Sequence, residues 1–437
     1  MEETLSSTNT YTKQQWIAEQ ARKHPDRVFT SLHHLIDIEW MVEAYRRTRK
    51  DGAAGIDGVT AADYEKELEA NLGSLLNRIE SGSYIAPPVR RHYIPKADGT
   101  KRPLGIPTFK DKVAQRAILM LLEPIYETDF LSCSYGFRPG RSAHDALYAL
   151  RTGIVRQGHR WVIDADISKY FDSIDHGHLR SFLDLRIKDG VVRRMIDKWL
   201  SAGILEEGGL HRSSVGTPQG GVISPILSNI FLHHVLDEWF EWTAKPRLRG
   251  SCQLVRFADD FVMAFEDAQS GKRMLDVLGK RLGRYGLELH ETKTRYVDFR
   301  RKRPRGHDPD TTFDFLGFTH LWGRSRRGHT VVCQITAKGR FTRALRAVRD
   351  WCKANRHQPL DEQQEHLARV IRGHCGYYGL TGNSKKLNRF RYQVIRHWRW
   401  ALTRRNRERG VTWDRMTELL QRYPLPPARV VRSIYAS

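Results

Sequence analysis

The sequence predicts an α+β chain, and three observations carry that expectation. Apolar residues recur at helical spacing in long stretches, as in 109–131 with Val113, Ile118, Leu121, Leu122 and Ile125. Short strand-like runs fall between those stretches, at 89–96, 101–107, 161–167, 254–265 and 313–318. The chain has 437 residues, 40% hydrophobic and 10% aromatic, enough for two or three domains with a substantial core.

In chain order, residues 12–50 read as helical through Trp16, Leu32, Ile36, Trp40, Met41 and Tyr45. DGAAGIDGVT (51–60) interrupts with three glycines and ends on Thr60, an N-cap candidate for a helix over 61–82. VRRHYIPK (89–96), the turn Ala97-Asp98-Gly99-Thr100 and KRPLGIP (101–107) read as a basic hairpin. WVIDADI (161–167) is a buried strand with embedded carboxylates, 190–201 and 224–242 are helical, and 254–265 forms two short strands around an Asp pair. A helix over 268–286, extended chain over 287–299, a loop at 300–310 and a strand in FDFLGF (313–318) follow. The segment 384–410 carries ten Lys or Arg and one acid in 27 residues, with Leu387, Phe390, Val394, Ile395, Trp398 and Leu402 at helical spacing. That is a basic amphipathic helix.

With 73 Lys plus Arg against 50 Asp plus Glu, the net charge is +23, which makes a polyanion the first partner to consider. A membrane partner fits less well. No run of 18 apolar residues occurs, and MEETLSSTNT lacks the basic and apolar regions of a signal peptide. The five cysteines are odd in number and none forms C-x-x-C, which argues against a disulfide framework or a zinc ribbon and for a reduced, cytoplasmic setting. His233-His234 and His374 beside Cys375 lack a complete ligand set and read as core or surface residues.

Asp166 ends an apolar strand, GTPQGGVISP (216–225) precedes a helix, and LVRFADDFVMAF (254–265) holds Asp259 and Asp260 between apolar arms. Alone, the Asp pair is explained equally well by a surface turn, for which Asp is suited. Three carboxylates converging at a sheet edge instead repel one another and call for divalent cations. Two ions can activate a hydroxyl and stabilise a leaving phosphate oxygen.

DADISKYFD, GTPQGG, FADD and FDFLGF occur in the order seen in reverse transcriptases. GAAGIDGVT (52–60), YIPKADGTKRPLGIPTFKDKVAQRAI (93–118), YGFRPGRSAHDAL (135–147) and GYYGLTGNSKKLNRFRYQVIRHWRWALTRRN (376–406) narrow this. The chain resembles group II intron-encoded reverse transcriptases, or maturases, over roughly 35–435. The resemblance implies a right-hand polymerase fold, fingers and palm with a mixed sheet, followed by an α-helical thumb. The expected divisions are an N-terminal helical extension (1–75), fingers and palm (76–320) and thumb or domain X (321–437).

It further implies RNA-directed DNA synthesis from dNTPs on an RNA template with a DNA primer, and binding of the structured intron RNA that encodes the protein. Asp166, Asp259 and Asp260 are then the catalytic, metal-binding triad for two Mg²⁺ ions, with Mn²⁺ a substitute. Asp164 and Asp172 are expected to order the strand end or pair with a base. Lys96, Arg102, Phe171, Gln219, Gly220 and Lys293 are expected around the nucleotide. Phe171 would stand as a gate against a 2′-OH, alongside plain core packing. Lys96 and Arg102 would meet the triphosphate, the alternative being solvated hairpin charges. Gln219 and Gly220 would lie beside the templating pair, or cap the following helix. Phe315, Leu316 and Gly317 would grip the primer. Lys385, Lys386, Arg389, Arg391, Arg396 and Arg399, with Arg404 and Arg405, would contact RNA phosphates. Arg138 and Arg141 either touch template or shape the fingers, with Arg141 near Asp145 as a further alternative.

Two departures stand out. The family more often has Tyr where this chain has Phe257, so the ring is kept and a hydroxyl lost. No paired cysteines of an endonuclease domain occur, so insertion into DNA is expected to need a nick, a fork or a single strand. An alternative role is a domesticated reverse transcriptase in DNA repair or phage defence. An intron RNA framing the gene would distinguish the two.

Overall fold

A computed structural model describes residues 2–95, 99, 101–206, 209–211, 216, 220–300, 311–325, 327–405 and 410–433. Lys96, Gln219 and the expected loop 300–310, apart from Arg300, lie outside the described residues, as does the side chain of Arg102.

The chain opens with α1 (Glu2–Lys23), α2 (Ile38–Arg47), α3 (Ala61–Glu65) and α4 (Leu68–Glu80). The expected helix over 12–50 is therefore two helices, separated where His33–Leu35 form a single 3₁₀ turn. Thr60 caps α3 as its sequence suggested: its hydroxyl accepts from the Asp63 amide, and Asp63 answers at the Thr60 amide. The hairpin is β1 (Val89–Pro95) and β2 (Lys101–Ile106), antiparallel with Arg90 opposite Ile106. Next come α5 (Phe109–Asp129), α6 (Ala143–Arg156), β3 (Trp161–Asp166), α7 (Tyr170–Ser173), α8 (His176–Asp184) and α9 (Gly190–Ser201). Asp189 starts α9 by accepting the amides of Val191 and Val192.

Two three-residue strands not anticipated from sequence, β4 (Ile204–Glu206) and β5 (Gly209–His211), extend the hairpin into a sheet of order β2-β1-β4-β5. This sheet is mixed, because β4 runs parallel to β1. The expected helix over 224–242 begins as α10 (Ser224–Leu232) and then widens into π-helical turns at His233–Asp237 and Trp239–Ala244. The chain continues through β6 (Cys252–Phe257), β7 (Asp260–Phe265), α11 (Ala268–Gly283) and β8 (Arg295–Asp298). These strands give the order β6-β7-β3-β8, with β3 and β8 antiparallel.

A third sheet, β11-β10-β9, is built from β9 (Phe313–Phe315), β10 (Phe318–Arg324) and β11 (Thr330–Thr336), all antiparallel. Helices α12 (Lys338–Ala354), α13 (Leu360–Tyr378), α14 (Ser384–Thr403) and α15 (Trp413–Arg422) complete the chain. Among the described residues no helix is long and apolar enough to cross a membrane, and the five cysteines are unpaired.

Contacts divide the chain into two compact units, one of residues 1–146, 165–263 and 272–294, the other of 147–164, 264–271 and 295–437. In the first, the indole N–H of the fully buried Trp40 donates to the Ala117 carbonyl at 3.0 Å, fixing α2 against α5. Tyr45, Tyr64 and Phe109 pack ring to ring beside it. In the second, Leu367, Ile371, Leu387, Phe390, Val394, Trp398 and Met416 form the core under α13, α14 and α15. The apolar stripe read from the α14 sequence is the face that is buried.

Candidate active site

Asp166 is the last residue of β3 and Asp260 the first of β7, with Asp259 in the tight turn before it. The Arg160 amide, just ahead of β3, donates to the Phe265 carbonyl at the end of β7, at 2.7 Å. The two neighbouring strands therefore run in opposite directions, and Asp166 comes level with the Asp259–Asp260 pair. Adjacent strands lie about 4.8 Å apart, so the backbone positions of the three aspartates are neighbours at one sheet end. The apolar arms are indeed core: Val255, Phe261, Val262 and Met263 are buried.

The turn is held from beneath by Arg256, a residue the sequence did not mark. Its side chain is completely buried and pairs with Asp237, also completely buried. It donates to Asn229 at 2.9 Å, to Ser134 at 2.8 Å and to the Ala258 carbonyl at 3.1 Å. Burial alone would lower the guanidinium pKa, but Asp237 more than offsets that and the net direction is upward. Ala258 takes a left-handed φ of 58°, uncommon for a residue with a Cβ. Arg256 thus fixes the turn that carries Asp259. From the other side, a Cβ on Gly136 would land on the Ala258 backbone nitrogen, so only glycine lets the 133–137 segment lie this close. The next residue, Phe137, is also left-handed (φ 57°), yet its ring is 59% exposed and 6.4 Å from the Phe257 ring.

The Lys293 ammonium lies 2.6 Å from an Asp166 carboxylate oxygen, and Arg295 is 3.1 Å from Asp164. Asp164 therefore pairs with a base, as expected. An all-oxygen donor set whose Asp166 already accepts one cationic group suits a hard divalent ion.

Two of the expected nucleotide elements meet. A Cβ on Gly220 (φ 116°) would sit 2.6 Å from the Gly105 carbonyl, so the glycine turn presses on the β1–β2 hairpin backbone to backbone. Gln115 on α5 secures the next residues, accepting the Val222 amide at 2.7 Å and the Ile223 amide at 3.3 Å. Gln115 in turn donates at 3.0 Å to Asp111, which also accepts from Tyr84 and, at 2.7 Å, from Trp199. Phe171 is half-buried, edge-on to Tyr170 at 5.3 Å, while the Tyr170 hydroxyl donates to the Ser228 carbonyl.

Burial pushes the Asp111 carboxyl from its usual 3.8 up to about 6, against the hydrogen bonds from Tyr84, Trp199 and Gln115. The folded value lies above the unfolded one. Protonation therefore favours the fold, a contribution fully present below about pH 4 and lost as pH rises through 6. The stability gap between wild type and Asp111→Asn, measured by urea unfolding, is expected to change by about 2 kcal/mol between pH 4 and 7. A gap independent of pH would contradict this.

Other expected residues are placed differently. Phe315 is buried, so its ring is core, while Leu316 and Gly317 form a half-buried left-handed turn. Arg138 is buried in an ion pair with Glu127 and donates to the Leu131 and Ser134 carbonyls, so it shapes the fold and does not reach for template. Arg141 lies over the Tyr135 ring, and Asp145 accepts from Ser142 instead. On α14, Lys385, Arg389 and Arg396 are exposed. Lys386 instead covers the Phe341 ring, and Arg391 donates to the Pro426 carbonyl. Arg399 donates to the Val411 carbonyl. His374 stacks on Phe390 at 3.7 Å, a packing role. The π-helical turns bring Glu238 to both His233 and His234, five and four residues before it, where an α-helical turn would reach only His234. Burial raises the Glu238 carboxyl, but the hydrogen bonds from both rings outweigh it and hold it at about 2.

Residues 94–320 match the reverse transcriptase (RNA-dependent DNA polymerase) family, and 341–419 the group II intron, maturase-specific domain. The chain is 35% identical over 339 residues to Protein YkfC of Escherichia coli, covering 69% of this chain and 85% of that one. It is 39% identical over 221 residues to the group II intron-encoded protein LtrA of Lactococcus lactis, covering 50% of this chain but only 37% of that one. It is 28% identical over 287 residues to Nuclear intron maturase 2, mitochondrial, of Arabidopsis thaliana, covering 52% and 38%.

Proposed function

Because the chain belongs to the reverse transcriptase (RNA-dependent DNA polymerase) family, we propose that it copies RNA into DNA, adding dNTPs to a primer whose 3′-OH attacks the α-phosphate. The observation that carries this is that Asp166, Asp259 and Asp260 stand at the same end of two neighbouring strands, with the second strand's turn held by Arg256.

The three carboxylates would hold Mg²⁺, which when bound lowers the cost of the developing phosphate charge. Arg256 and Gly136 keep the Asp259 carboxylate on target. Gln115 holds the segment that follows the glycine turn, and Gly220 lets that turn touch the hairpin whose second strand includes Arg102. Lys293 places a fixed positive charge on Asp166. The half-buried Phe171 ring offers a wall against a 2′-OH.

The test is primer extension on an RNA template in Mg²⁺. Extension is expected with dNTPs and not with NTPs, and Phe171→Ala is expected to raise NTP use by about tenfold or more, since the bar is steric. No extension with dNTPs at any divalent concentration would overturn the assignment.

The maturase-specific segment extends the proposal to splicing. The protein binds the intron RNA that encodes it and stabilises that RNA's catalytic fold, with α14 supplying cations to the phosphates. At low Mg²⁺, splicing of the flanking RNA is expected to be faster with the protein than without it. Equal rates would count against this role.

A further inference from the structure

On α14, Lys385, Arg389, Tyr392, Arg396 and Arg399 are separated by four, three, four and three residues. At about 100° per residue they share a stripe about 80° wide. The buried Leu387, Phe390, Val394, Trp398 and Ala401 lie diametrically opposite, which turns the basic stripe outward. One member breaks the pattern. Tyr392, in the middle, is uncharged and its ring is 51% exposed.

Tyr392 does not stand alone. The Trp413 ring, 41% exposed, lies 5.9 Å away and only 9° from parallel. Trp413 is the first residue of α15, whose start is fixed when the Thr412 hydroxyl accepts the Arg415 amide. The Arg399 guanidinium sits 4.6 Å from the Trp413 ring centre, pinned by its hydrogen bond to the Val411 carbonyl at 2.8 Å. Two aromatic rings are thus held parallel, half in solvent, inside a row of cations. Plain solubility would not put rings there, and the core beneath is already filled by Val394 and Trp398.

We infer that Tyr392 and Trp413 form a stacking platform for an unpaired RNA base, with Lys385, Arg389 and Arg396 holding the phosphates on either side. Every base has a flat face that stacks on an aromatic ring, and only an unpaired base can leave its own helix to do so. The platform therefore selects unpaired over duplex RNA, which phosphate contacts alone cannot do. This rests on the proposal that the chain binds intron RNA, and deepens it by naming the structural class of RNA read at α14.

The experiment uses the full chain with a short unpaired RNA oligonucleotide carrying one fluorescent base, and a blunt RNA duplex of equal length. Tyr392→Ala and Trp413→Ala are each expected to weaken unpaired RNA about tenfold. Duplex affinity should change less than about twofold, and the slope of log K against log salt should stay the same, because no charge is removed. Base-fluorescence quenching on binding should disappear in both variants and persist in Tyr392→Phe, which keeps the ring. Arg389→Ala should instead flatten the salt slope by about 0.7. Unchanged affinity, or equal loss for unpaired and duplex RNA, overturns the platform. A wild-type chain that binds neither RNA overturns the RNA-binding proposal itself, and the platform with it.

Discussion

Asp259→Ala is expected to abolish primer extension, by on the order of 10³-fold or more, while leaving RNA affinity within about twofold. On the proposed reading, activity depends on the carboxylates carried at the end of β3 and the start of β7. RNA affinity, on the same proposal, depends on the exposed cations of α14, which the substitution leaves in place. Splicing assistance, which needs no aspartate, should survive the substitution too. The measurement is extension of a labelled primer beside a binding titration of the same preparation. Full extension by the variant would sink the site assignment, and parallel loss of binding would show that the turn also supports the RNA surface.

Arg256→Met is expected to cost about 3–5 kcal/mol of stability, because it leaves Asp237 charged and buried without a partner. It also strips a hydrogen bond from Asn229, Ser134 and the Ala258 carbonyl. The double variant Arg256→Met with Asp237→Leu separates the two consequences. Removing both charges should recover most of the stability, since a buried ion pair replaced by apolar groups is often close to neutral. It should not recover extension, because Ala258 still lacks the donor that sets the turn. Urea unfolding and primer extension on the three proteins decide this. A double variant that regains stability and activity together would mean that Arg256 stabilises the fold without aiming Asp259.

Both predictions concern one turn, yet only part of it is legible in the sequence. The two strands around Asp259 and Asp260 can be read because the apolar arms are continuous and the break between them is short. Thr60 can be read because its cap is local, with Asp63 only three residues on, and the 190–201 helix because its apolar residues recur at helical spacing. Arg256 cannot be read. In LVRF it looks like any polar residue on a strand, and what makes it buried and paired are Asp237, Asn229 and Ser134 on other segments. The Gln115–Asp111–Trp199 chain is hidden for the same reason, since it joins α5 to the far end of α9. The π-helical turns after α10 escape notice because an apolar stripe shows that a helix is present but barely distinguishes its pitch over two turns. Arg138 is ambiguous because a basic residue in a glycine-rich segment looks like a ligand contact until Glu127 is found beside it. Phe315 resembles a surface hairpin residue, but period-2 alternation in so short a strand does not say which face is core.

The close seating of Gly136 on Ala258 bears on how such a polymerase could be re-engineered. Two backbones in contact leave no room for adjustment, so directed evolution should find the floor of the site nearly immutable. Variation is left to rings that face outward from that floor. Phe257 and Phe137 form such a pair, and a library confined to them would explore fidelity and nucleotide choice without first breaking the fold.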